Sequence, residues 1–167
     1  MYTTALQLLA VLGATELAQV ATPEQYPVVT PELLTLVINA GDTSAELPAD
    51  VAVAVEAVAR ITRAIADADE MIDGYLAGRY PLPLAIVPGI LQTYASDIVR
   101  YRLHKDFPEQ GQHPVQVRYR DALRFLTLLA DGKVTLGAQD PAPPTSGNRV
   151  QYSAPARVFD APSLADY

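Results

Sequence analysis

The 167-residue chain has no cysteine and no tryptophan, two histidines and nine scattered glycines. Without cysteine there are no disulfides, no thiolate zinc sites and no cysteine nucleophiles. Two histidines are too few for a histidine-rich metal centre. Neither G-x-x-x-x-G-K-[ST] nor G-x-G-x-x-G occurs, so no phosphate-cradling loop is encoded. Base is missing from the whole front of the chain: residues 1–59 carry Glu16, Glu24, Glu32, Asp42, Glu46, Asp50 and Glu56 and not one Lys or Arg. Behind them, twelve acids balance twelve bases, so the formal net charge of −7 belongs entirely to the first third. An acidic front with no dense basic stripe behind it disfavours direct binding of nucleic acid.

Long apolar runs are scarce as well. The longest uncharged stretch, Tyr80 to Ser96, is interrupted by Pro81, Pro83 and Pro88, and cannot make the ~20-residue apolar helix that spans a bilayer. Leu6, Leu8, Leu9, Val11 and Leu12 faintly resemble a signal core, but no Lys or Arg precedes them. The expectation is a soluble, cytoplasmic chain. Mean hydropathy is +0.12 with half the residues hydrophobic, yet 26 of those are alanine, which favours helix more than membrane.

What is present is helical punctuation. Thr3 or Thr4 can cap a short helix carrying Leu6, Leu9 and Leu12 as far as Gly13, and Thr15 can cap a second with Leu17 and Val20. Residues 22–50 are divided by Pro23, Pro27, Pro31 and Pro48, with a short helix possible over 32–39, and read as an insertion or arm packed on the surface. Residues 51–77 are the strongest element: Val51, Val55, Val58, Ile61, Ile65, Ile72 and Leu76 keep a spacing near 3.6, with Asp50 as N-cap and Gly78 as left-handed C-terminal cap. Pro81-Leu82-Pro83-Leu84 must be extended. A further helix starts near Pro88, carries Leu91, Tyr94, Ile98 and Tyr101, and stops before Pro108; the last runs from Pro114 through Tyr119, Ala122, Leu126 and Leu129 to Gly132. The fold class is therefore all-α, a small helical bundle around one long helix.

Residues 1–137 form the expected helical domain, and residues 138–167 an extended, proline-rich C-terminal arm. That tail holds Pro141, Pro143, Pro144, Pro155 and Pro162 and no periodicity, so it builds no core of its own. Val158, Phe159, Leu164 and Tyr167 are spaced apolar anchors within it, suited to ordering on a partner.

Catalytic chemistry has few candidates. Asp67, Asp69, Glu70 and Asp73 are the densest acids, and Asp69 and Asp73 share a helical face at the spacing of Mg²⁺-binding carboxylates. All-helical hydrolases or transferases built this way need a second acidic helix and cations for phosphate; only Asp97 and Asp121 are on offer. His104 and His113 flank the 106–112 loop without a nucleophile-elbow serine. Asp97 and Arg100 stand at ion-pair spacing, and with Tyr101, Arg79 and Tyr80 read as polar groups fixing helices together. No catalytic, cofactor or metal residue is assigned, and the chain is not expected to be an enzyme.

Four ordered segments carry a resemblance. They are residues 66–84 (ADADEMIDGYLAGRYPLPL), Val87-Pro88 with residues 97–103 (DIVRYRL), residues 118–123 (RYRDAL) running to 132–137 (GKVTLG), and Arg157-Val158-Phe159 with residues 163–167 (SLADY). With the Met1-Tyr2-Thr3 opening, they resemble the head-completion proteins of Mu-like tailed phages. Residues 22–50 depart from that pattern. The resemblance implies a structural virion protein, a head–tail adaptor (connector). Its subunits would form a ring, usually of twelve, between the portal protein and a tail-completion or tail-terminator protein, with genome DNA passing through the channel. It implies assembly in the host cytoplasm and final residence at the head–tail interface of the virion. Arg79 and Tyr80, with the four anchors of the tail, are the expected interface residues.

Overall fold

The computed structural model describes residues 1–104 and 113–137; the expected arm over 138–167 and its anchors Val158, Phe159, Leu164 and Tyr167 lie outside the described residues. The described chain is all-α: α1 (Ala5–Leu12), α2 (Ala14–Ala21), α3 (Pro31–Ile38), α4 (Pro48–Leu76), α5 (Gly89–Leu103) and α6 (Pro114–Ala130). Every other helix packs on α4. At 1.5 Å per residue, its 29 residues make a rod of about 43 Å.

The α4 face that the others cover alternates small and large side chains. Ala54, Ala57, Ala64 and Ala68 let neighbouring backbones approach, while Ile61, Ile65, Ile72 and Leu76 fill the space between. All eight are buried, at spacings of three and four that keep them on one stripe. Across from them stand Leu8, Leu17, Leu34, Leu91, Ile98, Val99, Leu126 and Leu129, so one continuous core runs the length of the bundle.

Helix ends follow the capping residues with three corrections. Thr4 caps α1 in a full capping box with Gln7, and Thr30 caps α3. Asp50 does not cap α4: the helix starts earlier, at Pro48, whose missing N–H is harmless at N1, and Asp50 lies in the first turn near the positive end of the dipole. Gly78 is not left-handed, because the N–H groups of Arg79 and Tyr80 both fold back to the Leu76 carbonyl in tightened turns. Thr15 does not cap α2, which begins at Ala14 with Gly13 in the N-cap position.

Two helices end in Schellman motifs. After α6, Gly132 at φ +76° lets Lys133 N–H reach the Leu128 carbonyl (2.9 Å). After α3, the same closure has Ala40 in the left-handed position at φ +53°, with Gly41 N–H on the Leu36 carbonyl (2.9 Å). Substitutions at the two positions should act in opposite senses. Ala40→Gly should raise stability by up to about 1 kcal/mol, and Gly132→Ala should lower it by at least that, since a Cβ there would also stand 2.9 Å from Arg79 Nη1. Urea unfolding midpoints at constant m-value check both signs.

Residues 22–50 contribute more than a surface arm. Val29, Leu33 and Leu34 are buried, α3 lies against α2 and α4, and Thr22 Oγ1 accepts the Val29 N–H (3.2 Å) to fix the approach. Proline spacing hides this, because Pro23, Pro27, Pro31 and Pro48 mark boundaries of segments and say nothing about which way the residues between them face.

Candidate docking surface

Asp69 and Asp73 lie on one face of α4 as the spacing demands, but the N-terminal segment occupies them. Asp69 Oδ1 accepts the Tyr2 backbone N–H at 2.8 Å, and the Asp73 carboxylate accepts the Tyr2 hydroxyl. Tyr2 is buried, and Thr3 Oγ1 beside it lies 3.2 Å from Ser96 Oγ of α5. Among the described residues no group of three or more His, Asp or Glu side chains is arranged to hold a metal ion. The two acids act as a latch that draws the start of the chain across α4.

That latch has a pH signature. Burial, then the hydrogen bond and negative charge of Asp73, push the Tyr2 phenol well above its ordinary range. A raised folded-state pKa means the stabilisation is complete below the unfolded value near ~10 and is lost as pH climbs past it. Tyr2→Phe should therefore cost about 1.5 kcal/mol at neutral pH, the low end for a hydrogen bond to a charged group. It should also flatten the alkaline limb of a stability-versus-pH curve measured by chemical denaturation.

Arg79 and Tyr80 tie the end of α4 to the end of α6. Arg79 Nη1 donates to the carbonyls of Leu129 and Val134, each at 3.1 Å, and its guanidinium lies 5.6 Å from the centre of the Tyr80 ring. Tyr80 is buried, and its hydroxyl accepts the Leu136 N–H (3.3 Å). Arg79 is half-buried and Tyr80 buried, and together they set the position of Gly137, where the described chain ends and the proline-rich tail begins.

Asp97 and Arg100 do not close an ion pair with each other. Arg100 instead grips Glu16 of α2 through two parallel bonds of 2.5 and 2.7 Å, and Arg102 reaches Asp67 of α4 at 2.9 Å. Tyr101 stacks on Tyr119 with ring centres 3.9 Å apart, and Tyr94 meets Phe125, which locks α5 against α6. Asp97 faces a cleft of about 520 Å³ between α1, α5 and α6 that also takes in Gln7, Val11, Gln92, Arg118 and Asp121. Burial raises its pKa, and Arg118 and Arg100 pull the other way. The histidines lie at the far end of α5: His104 Nδ1 is 2.8 Å from the Arg100 carbonyl, and His113 Nδ1 accepts the Val115 N–H. Ser96, the residue before Asp97, donates its hydroxyl to the Gln92 carbonyl. The cleft thus presents hydrogen-bonding side chains, the partly shielded Asp97 carboxylate, Asp121 and the Arg118 guanidinium. Sequence reasoning missed it because it forms between α1 and the α5–α6 pair, far apart in the chain.

Comparison with known proteins agrees with the resemblance carried by residues 66–84 and 97–103. The chain is similar to the Mu-like prophage FluMu protein gp36 of Haemophilus influenzae, 39% identical over 82 residues, spanning 49% of this chain and 56% of that one. It is similar also to gene product J of Escherichia phage Mu, 35% identical over 99 residues, spanning 58% of this chain and 68% of that protein. The matched region is thus only a little over half the length of the Haemophilus relative. The family described as "Bacteriophage Mu, Gp36" matches residues 2–153, which takes in all six helices, the Tyr2 latch and the Arg79–Tyr80 clamp. The chain belongs to this Mu phage Gp36 family.

Proposed function

We propose that this chain is a structural component of a phage particle, a head–tail adaptor that assembles as a ring between the portal protein and the first component of the tail. The observation that carries the reading is the family match over residues 2–153. The design of the molecule supports it. Its polar side chains are spent on joining helices, as at Arg79, Arg100 and Asp69. Its one long rod, α4, gives a subunit the stiffness to transmit contacts from one end to the other. Residues 138–167, with Val158, Phe159, Leu164 and Tyr167 as anchors, are the segment we assign to the neighbouring protein, whether portal or tail completion. The particle contacts are made at the head–tail interface after assembly in the host cytoplasm.

The test is affinity capture of the tagged full-length chain from cells producing its phage, with bound proteins identified by mass spectrometry. Recovery of portal or tail-completion protein supports the adaptor. Recovery of host metabolic proteins alone contradicts it.

A further inference from the structure

Seven acids and no base occupy residues 1–59, and a cleft at the start of α4 lies wholly inside that stretch. Pro27, Val28, Leu33 and Val53 line about 270 Å³, with Glu46 and Asp50 at its edge. That is below the roughly 300–1,000 Å³ of a small-molecule pocket and suits inserted side chains. Val28 and Leu47 beside it are 58% and 68% exposed, large side chains left in water. Neither Glu46 nor Asp50 joins an ion pair among the described residues, and the first base of the chain, Arg60, is turned inward to the Ala21 carbonyl (2.9 Å). The larger cleft at Asp97 differs, because Arg118 already stands beside its acids. The cleft at the start of α4 therefore calls for a cation and an apolar side chain from outside.

Residues 141–159 carry that chemistry. They hold Arg149 and Arg157 and no acid, between the flanking Asp140 and Asp160. Valine follows each arginine, and an aromatic ring comes soon after: Arg149-Val150-Gln151-Tyr152 and Arg157-Val158-Phe159. We propose that Arg149-Val150-Gln151-Tyr152 of one copy docks in the cleft at the start of α4 of a second copy. The Arg149 guanidinium meets Glu46 and Asp50, and Val150 and Tyr152 cover Val28 and Leu47. Reach selects the second copy. Gly137 is moored at the C-terminal end of α4 by the bond from Leu136 N–H to the Tyr80 hydroxyl, and the twelve residues from there to Arg149 span at most about 40 Å. The rod of α4 is itself about 43 Å long, so a chain's own cleft, at the far end, lies at or beyond that limit. The cleft of a neighbour shifted along the rod lies within it. A segment of one copy in a cleft of the next is a heterologous contact, which repeats from copy to copy and can close into a ring. Val158, Phe159, Leu164 and Tyr167 remain for the portal or tail protein. The inference rests on the adaptor reading for the ring and gives that ring its subunit contact.

The lack of native cysteine makes disulfide trapping free of background. Full-length Leu47→Cys and Gln151→Cys chains keep every charge of the proposed contact. They are oxidised separately and as a mixture, both concentrated in solution and after incorporation into particles. Each alone should stay monomeric on a non-reducing gel, the mixture should give dimers, and the double variant a ladder. A double variant that closes only on itself, or no mixed dimer in either setting, would overturn the contact. Charge exchange provides a second reading. Adding Arg149→Glu to the Gln151→Cys chain should lower the yield of mixed dimer about fivefold or more, and adding Asp50→Arg to its Leu47→Cys partner should restore it. An undiminished yield with Arg149→Glu alone also overturns the contact. Particles that incorporate the cysteine variants and complete normally without trapping defeat this contact and leave the adaptor reading standing. Mixed dimers from a chain that is absent from particles do the opposite.

Discussion

A chain truncated after Gly137 should fold normally and fail to complete particles. The folding half follows from the structure. α6 ends at Ala130, its Schellman closure is finished by Val134, and the last long-range tie among the described residues is Leu136 N–H to the Tyr80 hydroxyl. All of these survive the cut, so thermal unfolding should shift by no more than a few degrees. The assembly half follows from the anchors. Burying Val158, Phe159, Leu164 and Tyr167 on a partner is worth about 1.5–3 kcal/mol per large side chain. Loss of even two of them would weaken binding by a hundredfold or more, at about 1.4 kcal/mol per factor of ten. Infectious titre on complementation should fall to background while circular dichroism of the purified core is unchanged. Normal titre from the truncated chain would remove residues 138–167 from the mechanism.

Leu34→Ala should destabilise the protein by about 2–5 kcal/mol, the usual cost of emptying a fully buried leucine site. Leu34 has no exposed surface and sits on α3, inside the segment whose prolines suggest a peripheral arm. Thr35, one residue on and only half-buried, provides the control: its hydroxyl donates to the Pro31 carbonyl within the same helix, and Thr35→Ala should cost well under 1 kcal/mol. A cost below ~0.5 kcal/mol for Leu34→Ala would show that α3 can detach without disturbing the bundle.

How much of this was legible beforehand depends on the length scale of the signal. The stripe from Ile61 to Leu76 announces α4 because a buried helix must repeat its apolar positions every three or four residues. Pro114 and Gly132 bracket α6 for local reasons of backbone chemistry, and the structure follows them closely. The latch was half legible. Asp69 and Asp73 stand out as a carboxylate pair, but the partner that claims them is Tyr2, some seventy positions away, and no local pattern encodes that meeting. The same holds for Arg100, which passes over the acid at helical spacing, Asp97, to take Glu16. Asp50 and Gly78 show the reverse failure: both are residue types that suit helix ends, yet Pro48 opens α4 earlier and the fold-back of Arg79 and Tyr80 closes it without a left-handed residue. Local chemistry sets where helices lie, and pairings over long separations set what their polar faces do.

The most direct test of the adaptor is a phage lysate made without this chain. The account predicts DNA-filled heads and complete tails accumulating separately, with joining restored by adding the purified full-length protein and not by residues 1–137. Joined, infectious particles formed in the absence of the chain would contradict it.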